Sequence, residues 1–289
     1  MRPVIGSLLM RAPIVLAGMY GAAVHAQQPD SLWSYTLKIA GDSNGSALPE
    51  TTVRQWVSAR RIRMELANAA MAAASGSYTV FNAADSTISM VIPAYQAVTV
   101  TPSGFALAMA KSARPKTETH LTSNSLEDLG PGESILGHAT HHYRVTTVGT
   151  IKLTLGGSSC DRRVDSQTEA WVAPDIDQRA IVKPLVDMGM APSDMVPQWD
   201  SAMAKLPTGI PLRTVITSRG TDRDGKALTV KRTLEYTALA HVPAADSVFA
   251  TPKGYQVMDM RGDPSLLAAA SSGTQFMDAR FKVMCETIG

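Results

Sequence analysis

From Trp33 the chain places an apolar side chain at every second position. Trp33, Tyr35, Leu37 and Ile39 fall on one side, and Ser34, Thr36 and Lys38 on the other. A period of two is what a strand shows when one of its faces is buried. The same signal returns at residues 52–66, with Ile62, Met64 and Leu66 sharing a face, and at residues 78–81. Ile88, Met90 and Ile92 follow, alternating with Ser89 and Val91. Strands are also predicted at residues 95–100, 134–148, 151–155, 164–172, 212–218 and 227–239. Turn chemistry separates them: Gly41-Asp42-Ser43-Asn44-Gly45, the polar stretch around Asp85, Pro93-Ala94, Gly156-Gly157, and the Asp-Gly of Asp222-Arg223-Asp224-Gly225. Strand and turn repeating every 8–12 residues or so predict an antiparallel meander.

Helical patterns interrupt this run in a few places. Residues 64–74 are small and apolar and predict a short helix, since alanine has high helix propensity. Residues 177–188 and 193–206 carry apolar side chains at three- and four-residue spacing, with Ser193 or Asp194 as a cap. Asp263-Pro264 opens a C-terminal helix with Asp as cap and Pro in its first turn. No repeat or low-complexity linker divides the chain. The expected organisation is a leader, residues 1–26, one domain over residues 27–260 with a helical insert at 177–206, and a helical tail over residues 261–289.

The leader is read from three parts. Arg2 and Arg11 make a basic start, an apolar run follows from Ala12 to Val24, and Val24-His25-Ala26 puts small residues at −3 and −1 of a cleavage site before Gln27. That is the pattern of a secretory signal peptide, and its run of about 13 residues falls short of the roughly 20 that a membrane span needs. Leu16-Ala17-Gly18 would suit a lipidation site, but residue 19 is Met and supplies no thiol. The expected product is soluble and untethered, in the periplasm or secreted, with no transmembrane span.

Charge excludes one class of partner. The whole chain carries 27 basic and 25 acidic residues. Cleavage would remove two arginines and no acid, leaving the balance at zero. Nucleic-acid binding, which draws on an excess of Lys and Arg, is not expected. The two cysteines, Cys160 and Cys285, are an even count in an oxidising compartment and could form a disulfide, with two partly buried thiols as the alternative.

Several local motifs dissolve on inspection. Gly41-Asp42-Ser43-Asn44-Gly45 matches G-x-S-x-G, but a nucleophile elbow needs a helix directly afterwards, and Pro49 and another strand follow. His138, His141 and His142 invite a metal. On one strand His138 and His142 would stand about 13 Å apart, too far to share an ion bound at about 2 Å, with His141 facing away; His120 or His241 would have to assist. Asp222-Arg223-Asp224-Gly225 lacks the later glycine and glutamate of a calcium loop. Arg261-Gly262-Asp263 is too short to mean more than a helix cap. No catalytic group, metal or cofactor is expected.

Methionine is the oddity: the chain has 15 Met and only five Phe. Met is flexible and polarisable and suits surfaces that accept varied apolar partners, as well as gaps in a core.

The order of segments resembles the LolA-type periplasmic lipoprotein carriers. The residues that carry the likeness are Ala59-Arg60-Arg61-Ile62-Arg63-Met64-Glu65, then residues 78–90 with the turn at Asp85, then Pro93 with Ala97-Val98-Thr99-Val100, and residues 247–255 as a closing strand. Ile135-Leu136-Gly137 leading to Tyr143, and Glu169-Ala170-Trp171-Val172-Ala173, are similar to the exported family called domain of unknown function 4412. The resemblance implies a mainly β (α+β) fold: a curled antiparallel sheet forming a half-barrel, with helices covering the open face over an apolar cavity. It also implies a functional arginine near the second strand, for which Arg60, Arg61 and Arg63 compete. The cavity lining expected here is Trp33, Tyr35, Leu37, Trp56, Ile62, Met64, Ile88, Met90 and Ile92. The partner would be a lipid, acyl chain or other hydrophobic ligand. The competing expectation is a filled core and an envelope protein as partner.

Overall fold

The computed structural model describes residues 31–66, 76–105, 116–155, 158–177, 181, 208–221, 225–243 and 245–262. They build one open sheet of twelve strands. In chain order these are β1 (Ser31–Ser43), β2 (Ser46–Val57), β3 (Arg61–Leu66), β4 (Tyr78–Asn82), β5 (Thr87–Ile92), β6 (Ala97–Pro102), β7 (Lys116–Pro131), β8 (His141–Leu155), β9 (Ser158–Ala173), β10 (Ile210–Thr221), β11 (Ala227–Pro243) and β12 (Gln256–Asp259). Across the sheet the order is β12-β6-β5-β4-β3-β2-β1-β11-β10-β9-β8-β7, so β12 and β7 are the edges. Every neighbouring pair is antiparallel except β12 on β6. Two meanders, β1–β6 and β7–β11, meet where β1 pairs β11.

Local chemistry sets the hairpins. Asn44 and Gly45 both take positive φ, 49° and 80°, which matches the twist of a two-residue hairpin. Asn44 also ties this turn to the far meander: its Oδ1 accepts the Thr229 N–H at 2.7 Å, and its Nδ2 donates to the Ala227 carbonyl at 3.3 Å. Between β4 and β5, Asn82 accepts the Ala84 N–H and Asp85 accepts the Thr87 hydroxyl.

Two glycines matter for close approach. A Cβ on Gly149 would stand 2.3 Å from the His120 carbonyl oxygen, and one on Gly41 would stand 2.4 Å from that of Lys231. Both positions lie by register shifts, at Leu121/Ser123 and Ile39/Gly41. A missing side chain there lets the neighbouring backbone close in.

Several sequence expectations are corrected. β7 lies where no strand is expected: it is an edge strand of Thr, Ser, Glu and Asp with three leucines, so it carries little hydrophobic alternation. The strand expected over residues 134–148 starts only at His141. Residues before it form a tight turn in which Ile135 and His138 exchange backbone hydrogen bonds. It then runs through Gly149 without a break to Leu155. Residues 64–66 complete β3 rather than opening a helix, because Met64 and Leu66 pair with Gln55 and Val53. The rest of that predicted helix lies outside the described residues.

The helices expected to cover the open face do not appear among the described residues. Helix there is confined to the 3-10 turns Pro93–Tyr95 and Asp246–Val248 and to positions 103–105 and 181. Among the described residues no helix is long and apolar enough to cross a membrane. The insert at 177–206, apart from Asp177 and the buried Ile181, the tail after residue 262, and the leader all lie outside the described residues. What does cover one face is an irregular segment, residues 245–255, most of which the resemblance casts as a strand.

Candidate functional site

Pairing register assigns each side chain of β1–β6 to one of two faces, since directly opposed residues share a face. One face carries Val57, Ile62, Phe81 and Ile88 in one cross-strand row. The row beside it runs Met258, Thr99, Met90, Thr79, Met64, Gln55, Tyr35 from β12 to β1. Leu37, Val53 and Leu66 flank it. From β2 Val53 through β12 no side chain in these rows is ionisable. The charged residues of the same stretch, Arg54, Arg61, Arg63, Glu65 and Asp259, alternate onto the other face, as does Tyr78.

Burial grades along the row of three methionines. Met258 is 48% exposed and Met90 50%, whereas Tyr35 at the far end is 6% exposed. Leu66 beside Met64 is 44% exposed. The row is therefore open near the β12 edge and closed where it meets the main core. That core gathers Tyr35, Val57, Ile62, Ile135, Ala173, Ile176, Ile181, Ile210 and Leu212, with Trp33 and Tyr236 packed against it. At the closed end the Tyr35 hydroxyl donates to the Gln55 Oε1. Burial first, and the neighbouring Tyr236 second, push the Tyr35 phenol far above its ordinary range; burial pushes Tyr236 to about 12.

Eight of the nine expected lining residues lie on this face. Ile62 and Tyr35 are packed core. Trp33 leans on the same cluster, its ring tilted against that of His241 at 4.9 Å. Leu37, Met64, Ile88 and Ile92 are outside the packed clusters or only part-buried, and Met90 is exposed. The ninth, Trp56, is displaced: it opposes Ser34 and Arg63 and packs on the other face with Leu32, Tyr78, Val80, Val91, Val98 and Phe249. Sequence spacing could not show Thr79, Thr99, Gln55 and Met258 joining Met64 and Met90, because the row runs across six strand pairings.

Residues 245–255 strap that second face. Val248, Phe249 and Tyr255 pack into its cluster. Arg63 holds the strap by donating from Nη1 to the Val248 carbonyl at 2.8 Å. Its guanidinium sits 3.7 Å from the Tyr78 ring centre and 5.2 Å from that of Trp56, and it pairs with Glu65. Arg61 adds an ion pair to Asp246 at 2.7 Å and lies over Phe249. Of the three competing arginines, Arg61 and Arg63 are thus committed to the strap, while Arg60 is exposed.

The histidines separate instead of converging. His138 is in the turn before β8 and meets Asp175 at 2.7 Å; His141 meets Asp128. His142 stacks on Trp171 at 4.1 Å with Glu169 3.3 Å away. His120, on β7, opposes Thr150 of β8. Each imidazole of the 138–142 group thus has its own carboxylate, and among the described residues no three His, Cys, Asp or Glu side chains group to hold a metal. The carboxylates respond. The Gly130 N–H first and His141 second hold Asp128 low, and the His138 hydrogen bond holds Asp175 low. Burial pulls Glu169 upward, but Arg144, Gln167 and His142 together bring it below its ordinary value.

Ser43 ends β1 opposite Ser46, and β2 follows the turn. The helix that a nucleophile elbow needs is replaced by a strand. Cys160 lies half-buried on β9 opposite Leu153; Cys285 is outside the described residues.

The fold and this face define a class: a large open antiparallel sheet, strapped on one side, with an uncharged, partly exposed face on the other. No family model matches the chain, and no curated protein matches it. The expected likeness to domain of unknown function 4412 therefore finds no match. Among solved structures, the chain is similar to an uncharacterised conserved protein from Thermus thermophilus, at 13% identity over 79% of this chain and 90% of that one, with a TM-score of 0.32. It is also similar to a LolA superfamily protein from Nitrosomonas europaea, at 10% identity over 77% and 91%, TM-score 0.29. A third match is PNGF-II, at 10% identity over 85% of this chain and 33% of that one, TM-score 0.30.

Proposed function

We propose that this is an exported, non-catalytic cell-envelope protein that carries an apolar ligand, a lipid or acyl chain, against the uncharged face of β1–β6. The observation behind the reading is the row Met258–Thr99–Met90–Thr79–Met64. It offers thioethers and threonine methyls at one level of five strands, half-exposed at its outer end.

Its length suits the task. Four strand spacings are about 19 Å, against about 15 Å for one leaflet of a bilayer's hydrocarbon. Each methylene buried would contribute about 0.8 kcal/mol. Methionine adapts its rotamers to different chains, and desolvating an uncharged face costs little. The N-terminal pattern supports export, and the same compartment would oxidise Cys160 and Cys285 to a disulfide.

The test is mass spectrometry of an organic extract from protein purified without detergent out of the cell envelope. A stoichiometric lipid, lost in Met90→Asp, is the expected result. A clean extract together with no thermal shift from added lipid would refute the reading.

A further inference from the structure

We infer that the chain's own C-terminal segment, residues 263–289, covers the uncharged face of β1–β6 and is fastened across it by a disulfide between Cys285 and Cys160. The inference goes beyond the carrier reading and stands with or without a ligand beneath the cover.

Three observations carry it. The first is the point of departure. Met260 donates its N–H to the Val100 carbonyl at 2.8 Å, so the chain leaves at the β12 edge, beside the half-exposed Met258. The second is the point of attachment. Cys160 is not a free thiol, and Cys285 is the only other cysteine in the chain. Register carries the face of Tyr35 and Leu37 through Tyr236, Leu234, Thr214 and Ala170 to β9. Cys160, an even number of residues from Ala170 on that strand, shares the face. The segment thus departs at one edge of the sheet and is tied near the other, on the same side. The opposite side of β1–β6 is already taken by residues 245–255. The third observation is composition. Pro264 through Met277 includes no charged residue, which matches a face whose rows are uncharged from β2 to β12. Leu266, Leu267, Phe276 and Met277 supply the apolar surface that burial against the methionine row rewards.

Length permits the crossing. Nine strand spacings separate β12 from β9, about 43 Å on a flat sheet. The 23 steps from Gly262 to Cys285 reach about 76 Å when extended, which leaves slack for side chains to settle into the face. Forming the bond oxidises two thiols to one disulfide. The two electrons and two protons pass to a protein disulfide of the oxidising compartment, which is reduced to its dithiol.

The test places the photo-cross-linker p-benzoylphenylalanine at Met90 of the full-length mature protein under non-reducing conditions, with Val257 as the comparison position. Val257 is as exposed as Met90, 54% against 50%, but opposes Val98 on the strapped face. Illumination should link the Met90 position to a peptide within residues 263–289 of the same molecule, and the Val257 position severalfold less. On the unaltered protein, which needs no variant to fold, dilute peroxide should convert Met90 to its sulfoxide severalfold faster once the disulfide has been reduced and alkylated. No tail peptide captured at Met90, equal capture at both positions, or an unchanged oxidation rate would overturn the inference. Lipid captured at Met90 in place of the tail would overturn it and leave the carrier reading standing. A captured tail beside a clean organic extract, with no thermal shift from added lipid, would sink the carrier reading and leave this one.

Discussion

Replacing Arg63 with Met should loosen the strap without unfolding the sheet. The arginine's Nη1 bond to the Val248 carbonyl is charge-assisted and worth about 1.5–3 kcal/mol. Its position over Tyr78 adds about 0.5–1 kcal/mol. Against these stands its own Nε, buried with no partner, whose desolvation of about 1–3 kcal/mol the substitution relieves. Methionine keeps most of the packing on Trp56. The net loss is about 1–2 kcal/mol, a rise of about 5- to 30-fold in the fraction of molecules with the strap open. Lys253 lies exposed within residues 245–255, so limiting trypsin reports the opening at that bond. Cleavage at Lys253 should accelerate by that factor while the urea midpoint moves only modestly. Adding Glu65→Gln should recover part of the loss, since the single variant leaves Glu65 without its cation. Arg61→Met is the internal comparison: its partner Asp246 is 91% exposed, and such pairs contribute about 0–1 kcal/mol. An unchanged Lys253 rate in Arg63→Met, or one that rises only in step with global unfolding, would refute the reasoning.

Acid should weaken the end of the sheet that carries the histidines. Asp128, Asp175 and Glu169 have lowered folded values, so their contribution is complete above the unfolded carboxylate range of about 4. It is lost as pH falls through their folded values, which a urea titration at successive pH values would register and Asp128→Asn would blunt. At the other extreme, Tyr236 rises from 10.0 to about 12. The neutral phenol's contribution is whole below pH 10 and lost between there and 12, so the part of the phenolate absorbance that Tyr236→Phe removes should appear late and together with unfolding. Gly149→Ala should cost about 1–3 kcal/mol, because its Cβ would meet backbone at 2.3 Å. Gly220→Ala, with open space around it, should stay within about 0.5 kcal/mol by chemical denaturation. A non-reducing peptide map should recover Cys160 and Cys285 joined; two alkylated thiols would refute the disulfide.

Local signals in the sequence determined much of the architecture. Alternation over Trp33–Ile39 and Ile88–Ile92, the Asn-Gly turn, and the break at Pro93 specify strands and hairpins because each depends on a few adjacent residues. Alternation also separates Met64 from Arg63 and Met90 from Val91. Where a strand's environment is not half-buried, that signal fades. β7 has only one neighbour and reads as polar loop, and residues 134–140 look strand-like although Ile135 and His138 close on each other in a turn.

Only tertiary pairing decided which like-faced positions stand at one level. Met64, Met90 and Met258 share a row because β3, β4, β5, β6 and β12 pair in one particular register, and Gln55 enters that row only when β2 pairs β3. Trp56 falls on the unexpected face for the same reason, since its side is set by opposition to Ser34 and Arg63. The strap is likewise invisible locally: Arg63 and Val248 are 185 residues apart, and an aliphatic–aromatic segment reads equally well as a strand. Short-range chemistry fixes φ, ψ and facing. The uncharged face on one side and the arginine clamp on the other exist only once long-range pairing has brought distant strands side by side.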